Sequence, residues 1–134
     1  MSESKKGNVA KMLGKIVTVT VDRPLGSYHP EHPDLYYPIN YGYIENTLAA
    51  DGEEIDAYIL GVDHPVEKFT GRVIAVIHRF DDVEDKLVVA PLGLLFDAAE
   101  ISRMTEFQER YFKSEIESFS CGEAFANGDA TKQN

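Results

Sequence analysis

Two short acidic segments of the chain carry the residue types best suited to chemistry. The first, Asp51 to Asp56, is the run DGEEID, which places carboxylates at a glycine-containing turn and at the start of an apolar stretch. Carboxylate oxygens of this kind suit Mg²⁺ or Mn²⁺, which bind through a few acids, several waters and substrate phosphates. Asp51, Glu53 and Asp56 are therefore candidate metal-site residues. The alternative interpretation is an ordinary Asp-Gly hairpin turn with solvated acids.

The second acidic segment lies between two predicted strands. Taken alone, it is typical of a solvated hairpin tip. Two acidic turns at the ends of strand pairs could instead converge on one cleft and hold two or more metal ions. The segment comprises Asp81, Asp82, Glu84 and Asp85.

Basic and hydroxyl side chains lie next to these acids in the sequence. Lys86 follows the second acidic segment directly, and Arg23 follows Asp22 at the end of the first predicted strand. Either cation could bind phosphate, and the alternative for each is a surface ion pair of little energetic value. A cluster of tyrosines also predicts that some hydroxyls face a polar cleft, while others pack as core or surface aromatics. This cluster consists of Tyr36, Tyr37, Tyr41 and Tyr43.

The composition limits the partners of the protein. The chain of 134 residues has 13 basic and 23 acidic side chains, a formal net charge of −10, which disfavours nucleic acid and anionic membrane surfaces. Its single cysteine, Cys121, excludes an internal disulfide and favours the cytoplasm. We predict one domain over residues 12–120, flanked by flexible tails at 1–11 and 121–134.

Hydrophobic patterning predicts a mainly β, α+β domain. Strands are predicted by runs of β-branched and apolar residues between turn signals. A proline-rich loop with four prolines, from Pro24 to Pro38, separates the first two strands. Asp97 and Glu100 have the spacing of a capping box, and apolar residues at intervals of three to four from Ile101 to Phe119 predict a C-terminal helix packed on the sheet. The predicted strands are residues 15–22, 41–46, 57–62, 72–80 and 86–90.

The central part of the sequence resembles the signature of the family I soluble inorganic pyrophosphatases. The run Tyr37 to Ile44 (YPINYGYI), followed by Thr47-Leu48 and then Asp51 to Asp56, keeps the order and spacing of that signature. Weaker matches extend the resemblance from Val17 to about Lys113, through the stretch VTVDRPLGS and the acidic hairpin that ends in Lys86 and Pro91. The chain is therefore similar to a shortened member of this family.

The resemblance implies a small five-stranded OB-like barrel with a C-terminal helix. It also implies Mg²⁺-dependent hydrolysis of inorganic pyrophosphate by a metal-activated water, with Mn²⁺ or another divalent ion as an alternative cofactor. Glu53 and Asp56 would be the catalytic acids. The implied metal ligands are Asp51, Asp56, Asp82 and Asp85, and the implied substrate-binding residues are Tyr41, Lys86 and Tyr111. Arg23, next to Asp22, is a further candidate substrate-binding residue from its position in the sequence.

The sequence departs from the family pattern at three places. Glu53 stands where an aspartate is usual, and Phe112 stands where a lysine follows the phosphate-binding tyrosine. The segment from Ser27 to Tyr37 is shorter than the family's cationic hairpin, and we predict that His29 or His32 takes over part of its contact with phosphate. The second acidic segment is slightly shorter than the family's. Glu84 and Asp85 are therefore alternatives for one metal ligand, depending on where the gap is placed.

Three functional hypotheses follow from this sequence. The first is hydrolysis of inorganic pyrophosphate, and the second is a non-catalytic module that binds metal or polyphosphate. The third is hydrolysis of another diphosphate through a more open cleft. Related bacterial enzymes commonly assemble as homo-oligomers, and the resemblance implies the same for this chain.

Overall fold

The computed structural model describes residues 11–45, 54–80 and 85–118. Most of the predicted tails, at residues 1–10 and 119–134, lie outside the described residues, as do both acidic turns at 46–53 and 81–84. The described elements are β1 (Ile16–Arg23), β2 (Asn40–Ile44), β3 (Ile55–Ile59), β4 (Lys68–Arg79), β5 (Asp85–Ala90), α1 (Ala98–Glu109) and β6 (Ser114–Ser118).

The first five strands close into a small mixed barrel. The strand order is β1-β2-β3-β5-β4, and β1 pairs again with β4 to complete the circle. All neighbours are antiparallel except β3 and β5, which are parallel. The prediction of a mainly β, five-stranded OB-like barrel with a C-terminal helix is confirmed.

The barrel encloses a buried cluster of apolar side chains. Successive side chains of a strand point to opposite faces, so every strand contributes alternate residues to this interior. The buried cluster contains Val19, Ile44, Ile55, Ala57, Ile59, Val73, Val76, Leu87 and Val89.

A second core lies outside the barrel, between the outer face of the sheet and helix α1. Ile101 of the helix and the ring of Phe107 pack there against the outer-facing residues of four strands and of the preceding loop. The buried members are Tyr37, Tyr41, Tyr58, Leu60, Ile74, Ala75, Ile77, Val88, Ala90 and Ile101.

Helix α1 begins as the sequence predicts but ends earlier. Asp97 is the N-cap, its side chain accepts from the Glu100 backbone N–H, and the reciprocal bond completes the capping box. The helix ends at Glu109, so the prediction that it continues through Ile116 is wrong. Residues 114–118 (SEIES) alternate polar and apolar side chains, and their backbone pairs with the free edge of β4 as strand β6.

The predicted proline-rich loop lies between β1 and β2 and folds back on itself. Its two limbs approach each other at a bridge between Tyr28 and Tyr36 and at backbone bonds that link Gly26 and Ser27 to Tyr37. Farther along, β2 approaches β1 so closely that a β-carbon at Gly42 would collide with the Thr20 carbonyl. In the described ranges no helix is long and apolar enough to cross a membrane.

Candidate functional site

Three polar side chains meet on the outer face of the barrel, one each from β2, β3 and β5. Lys86 Nζ donates to Oδ2 of Asp56 at 2.7 Å, and the Tyr41 hydroxyl donates to the same oxygen at 3.0 Å. The parallel pairing of β3 with β5 and the antiparallel pairing with β2 make Asp56 the middle member. The structure thus brings together three residues that the sequence named as site candidates.

The Tyr41, Asp56 and Lys86 cluster is partly withdrawn from water. The Lys86 side chain is 4% exposed, whereas that of Asp56 is 33% exposed and opens to the cleft. Burial raises the pKa of Tyr41, the Lys86 ammonium opposes the rise, and the Asp56 charge adds to it. Tyr41 therefore keeps its proton at neutral pH and acts as a hydrogen-bond donor.

The cleft above this cluster has two connected lobes. We call the first the polar lobe; it has a volume of about 390 Å³ and includes Asp22, Arg23, Tyr43, Glu54 and Asp56 in its lining. We call the second the aromatic lobe; it measures about 510 Å³ and includes His29, His32, Leu35, Tyr111 and Phe112, together with Arg79 and Lys86. The lobes share His29, Tyr41 and Gln108.

Arg23 and Asp22 bring opposite charges to the polar lobe. Arg23 lies 3.5 Å from the Asp22 carboxylate, and its Nε is buried with no hydrogen-bond partner among the described residues. Burial raises the pKa of Asp22, Arg23 opposes that rise, and the negative charge of Asp56 adds to it. A buried donor without a partner and two carboxylates that repel each other are features of a lobe that accepts an anion together with a cation.

The helix side of the cleft is built on a buried ion pair that sequence reasoning missed. Arg79 contacts Glu109 through Nε at 3.1 Å and Nη2 at 2.7 Å, and both side chains are under 10% exposed. Burial lowers the pKa of Arg79, but the hydrogen bonds to Glu109 outweigh it and raise the pKa overall. Because 30 residues separate the two partners, no local spacing reveals the pair.

Gln108 is oriented by two tyrosines that flank it. Its Oε1 accepts from the Tyr37 hydroxyl at 2.7 Å, and its Nε2 donates to the Tyr58 hydroxyl at 2.8 Å. Tyr58 in turn donates to Glu109 at 2.6 Å. A fixed amide thus stands where the two lobes join, and its only sequence signal is its place in the run FQERY, one helical turn before the predicted Tyr111.

The remaining predicted substrate-binding residues also line the cleft. His29 borders both lobes, and its Nδ1 accepts from the Glu31 backbone N–H at 3.0 Å, an arrangement that requires an unprotonated Nδ1. Burial lowers the pKa of His29, and the nearby charges of Arg23 and His32 lower it further. Tyr111 is 63% exposed beside the aromatic lobe. Asp51, Glu53 and Asp82 lie outside the described residues.

Asp85 lies apart from the Tyr41, Asp56 and Lys86 cluster. It occupies the opposite side of β5 from Lys86, because successive side chains alternate, and its carboxylate bonds His78 Nδ1 at 2.9 Å and the Arg79 backbone N–H at 3.3 Å. His78 also contacts Glu117 at 2.9 Å. Glu84, the alternative to Asp85, lies outside the described residues.

The described part of the chain supplies only some of the donors that a metal site needs. No three His, Cys, Asp or Glu side chains within residues 11–45, 54–80 and 85–118 are close enough together to hold a metal ion. The carboxylates of the polar lobe are nevertheless the hard oxygen donors that Mg²⁺ prefers, and burial, with a smaller contribution from the Asp56 charge, raises the pKa of Asp22. This chemistry fits a divalent cation.

Comparison with solved structures defines the class of fold. The barrel matches the crystal structure of inorganic pyrophosphatase from Ehrlichia chaffeensis with a TM-score of 0.61 at 20% identity, over 79% of this chain and 87% of that one. A Neisseria gonorrhoeae inorganic pyrophosphatase matches with a TM-score of 0.55 at 22% identity, over 73% of this chain and 74% of that one. At this level of identity the likeness establishes a shared fold.

Sequence comparison establishes the family. A model of the inorganic pyrophosphatase family matches residues 2–121, and the inorganic pyrophosphatase of Corynebacterium glutamicum is 32% identical, with 77% of this chain and 75% of that protein aligned. The chain belongs to the inorganic pyrophosphatase family. The chain spans less than two thirds of the length of some curated relatives. It covers 65% of the Pseudomonas aeruginosa inorganic pyrophosphatase, with 30% identity over 73% of this chain. It covers 41% of the Campylobacter jejuni inorganic pyrophosphatase, with 33% identity over 54% of this chain.

Proposed function

We propose that this protein hydrolyses inorganic pyrophosphate to two phosphates with the help of Mg²⁺. The observation that carries the proposal is the contact of Asp56 with Lys86 and Tyr41 at the floor of a cleft, in a chain of the inorganic pyrophosphatase family. The cluster combines a carboxylate, a cation and a hydroxyl donor within hydrogen-bond distance. These are the groups that phosphoryl transfer uses for positioning and for charge stabilisation.

Asp56 is the proposed metal ligand that lines the cleft. Both of its hydrogen bonds fall on Oδ2, so Oδ1 has no partner among the described residues. We propose that Asp51 and Asp82 complete the site, and that Glu53 orients the attacking water. Asp85 remains a proposed ligand, although its contact with His78 gives that role no support. When bound, Mg²⁺ would neutralise phosphate charge and lower the pKa of water, and Mn²⁺ could take its place.

The cations and hydroxyls of the cleft are proposed to hold the substrate. The buried Nε of Arg23 would gain its missing partner from a phosphate oxygen, which is a strong charge-assisted bond. Lys86 and Tyr41, already directed at Asp56, would orient a second phosphate group, and His29 and Tyr111 would contact it from the loop and the helix end. Each of these groups binds and orients the substrate, and none forms a covalent bond with it.

Release of phosphate from pyrophosphate tests the proposal directly. We expect turnover with Mg²⁺ and none after chelation of divalent ions. Absence of release with Mg²⁺, Mn²⁺ and Co²⁺ would contradict the proposed activity. Binding of pyrophosphate without release would favour the non-catalytic module.

The cellular setting remains a prediction. We propose the cytoplasm, supported by the single cysteine, and a homo-oligomer, supported by the resemblance to related bacterial enzymes. Size-exclusion chromatography with light scattering would test the oligomer.

A further inference from the structure

The aromatic lobe is larger than the pyrophosphate ion requires. Its volume of about 510 Å³ comes in addition to the polar lobe, which already holds Arg23 and Asp56. A volume between about 300 and 1,000 Å³ is typical of sites that bind drug-sized organic molecules. The cleft as a whole can therefore take a diphosphate together with an organic group.

Half of the residues that line the aromatic lobe carry planar rings. The guanidinium carbon of Arg79 lies 3.7 Å from the centroid of the Phe112 ring, and the ion pair with Glu109 holds the guanidinium in place. The His29 and His32 rings, which also line the lobe, form a tilted pair with centroids 4.7 Å apart. Because the contact with Arg79 restricts the Phe112 ring, that ring offers a stacking surface at a low entropic cost.

The polar groups of the aromatic lobe suit a neutral organic ring better than additional phosphate. Its two strong cations are both paired with carboxylates: Arg79 with Glu109, and Lys86 with Asp56. Asp34 also borders the lobe and would repel a longer phosphate chain, whereas its carboxylate can accept from an exocyclic amine. Leu35 adds apolar surface beside the rings.

We propose that the aromatic lobe binds the base of a nucleoside diphosphate, whose two phosphates are held by Arg23, Lys86 and Tyr41 as proposed for pyrophosphate. This inference rests on the proposed function, because the same site would cleave the bond. Water adds to the terminal phosphorus, and the bond from that phosphorus to the bridging oxygen breaks. The products are inorganic phosphate, a nucleoside monophosphate and one proton.

The test compares three substrates that share a diphosphate: ADP, methyl diphosphate and inorganic pyrophosphate, each with Mg²⁺. Stacking of a base on aromatic side chains is worth about a tenfold factor or more per base. We expect kcat/KM for ADP to exceed that for methyl diphosphate by at least about tenfold. AMP should compete with ADP, and methyl phosphate should compete far more weakly.

A single substitution isolates the contribution of the ring. Phe112→Leu keeps an apolar cover over Arg79 but removes the flat face, so we expect the ratio of ADP to methyl diphosphate kcat/KM to fall severalfold. That ratio is insensitive to loss of folded protein, because both substrates meet the same active fraction. Phe80→Leu is the matched control, since Phe80 is 66% exposed and does not border either lobe.

The outcomes separate this inference from the proposed function. If pyrophosphate is cleaved while ADP is neither cleaved nor competitive, or if ADP and methyl diphosphate react equally, the nucleotide proposal is wrong and the pyrophosphatase proposal stands. Cleavage of ADP without cleavage of pyrophosphate would contradict the pyrophosphatase proposal and support the nucleotide proposal. No turnover of any of the three and no binding of AMP, measured by calorimetry, would overturn both.

Discussion

The two faces of the same barrel strands differ sharply in chemistry. The interior face holds only apolar side chains among its buried cluster, from Val19 to Val89. The outer face carries buried charges, with Lys86 of β5 paired to Asp56 of β3, and Arg79 of β4 paired to Glu109 of the helix. Alternation along each strand places these two environments back to back.

The difference separates what folds the protein from what the cleft needs. Apolar burial stabilises the interior without any requirement for exact partners. Charges on the outer face gain little net stability, because desolvation offsets much of their attraction, and they become costly when one partner is lost. A charge on the outer face is therefore costly to leave without its partner, and only outer-face residues that border the cleft should change turnover as well as stability.

The largest expected effect on stability comes from breaking the buried pair at the helix. Glu109→Gln keeps an acceptor for Tyr58 but leaves the Arg79 charge without its carboxylate, so the free energy of unfolding should fall by about 3–5 kcal/mol. Urea denaturation measures this free energy of unfolding. The double variant Arg79→Met with Glu109→Gln should recover most of the loss. A free energy of unfolding for Glu109→Gln within about 1 kcal/mol of wild type would contradict the expected cost of breaking the pair.

The largest expected effect on activity comes from Asp56→Asn. Loss of the carboxylate should lower kcat by about 10²–10³-fold, in the range found when one stabilising group of a transition state is removed. Unfolding free energy should fall by only about 1–2 kcal/mol, because Lys86 loses a charge-assisted bond. Phosphate release at saturating Mg²⁺ gives kcat.

Asp63→Asn is the matched control for Asp56→Asn, because it makes the same chemical change on a fully exposed side chain. It should leave turnover and stability unchanged. Wild-type kcat in the Asp56 variant would remove Asp56 from the proposed metal site.

A conservative change inside the barrel should affect stability alone. Ile59→Val removes one methylene from a fully buried side chain, and we expect a loss of about 1 kcal/mol in unfolding free energy with no change in kcat. Ile16→Val, at a site that is 50% exposed, should change neither. A fall in kcat of the folded Ile59 variant would show that the two faces are coupled.

The smallest expected effect concerns the loop histidines. The pKa of His29 is lowered in the free protein, whereas a bound phosphate dianion would raise it, so the charged form would aid binding at low pH and lose that effect as pH rises. We expect His29→Gln to raise the KM for pyrophosphate by about twofold to fivefold near pH 6, and to match wild type near pH 9.

His32→Gln should show the same trend in KM more weakly, since its ring reaches only the aromatic lobe. The measurement is the steady-state KM for pyrophosphate of wild type and both variants between about pH 6 and pH 9. If neither variant differs from wild type at any pH, the loop does not bind substrate.

The sequence by itself determined the local features of this protein. Alternation and turn residues located the five barrel strands to within a few residues, and the Asp97 and Glu100 spacing fixed the start of the helix. The resemblance carried by the run from Tyr37 to Asp56 pointed to Tyr41 and Asp56 as candidate site residues. The strands and the start of the helix depend on neighbours within one turn or one strand, so they can be predicted from spacing alone.

Only the tertiary structure decided which residues meet. Asp56 contacts Lys86 across 30 residues because β3 and β5 lie side by side, and Arg79 finds Glu109 because the helix crosses the outer face. The end of the helix and the formation of β6 depended on the free edge of β4, which no local pattern contains. Asp85 stands next to Lys86 in the sequence but on the other side of the strand, because consecutive residues of a β-strand point to opposite faces.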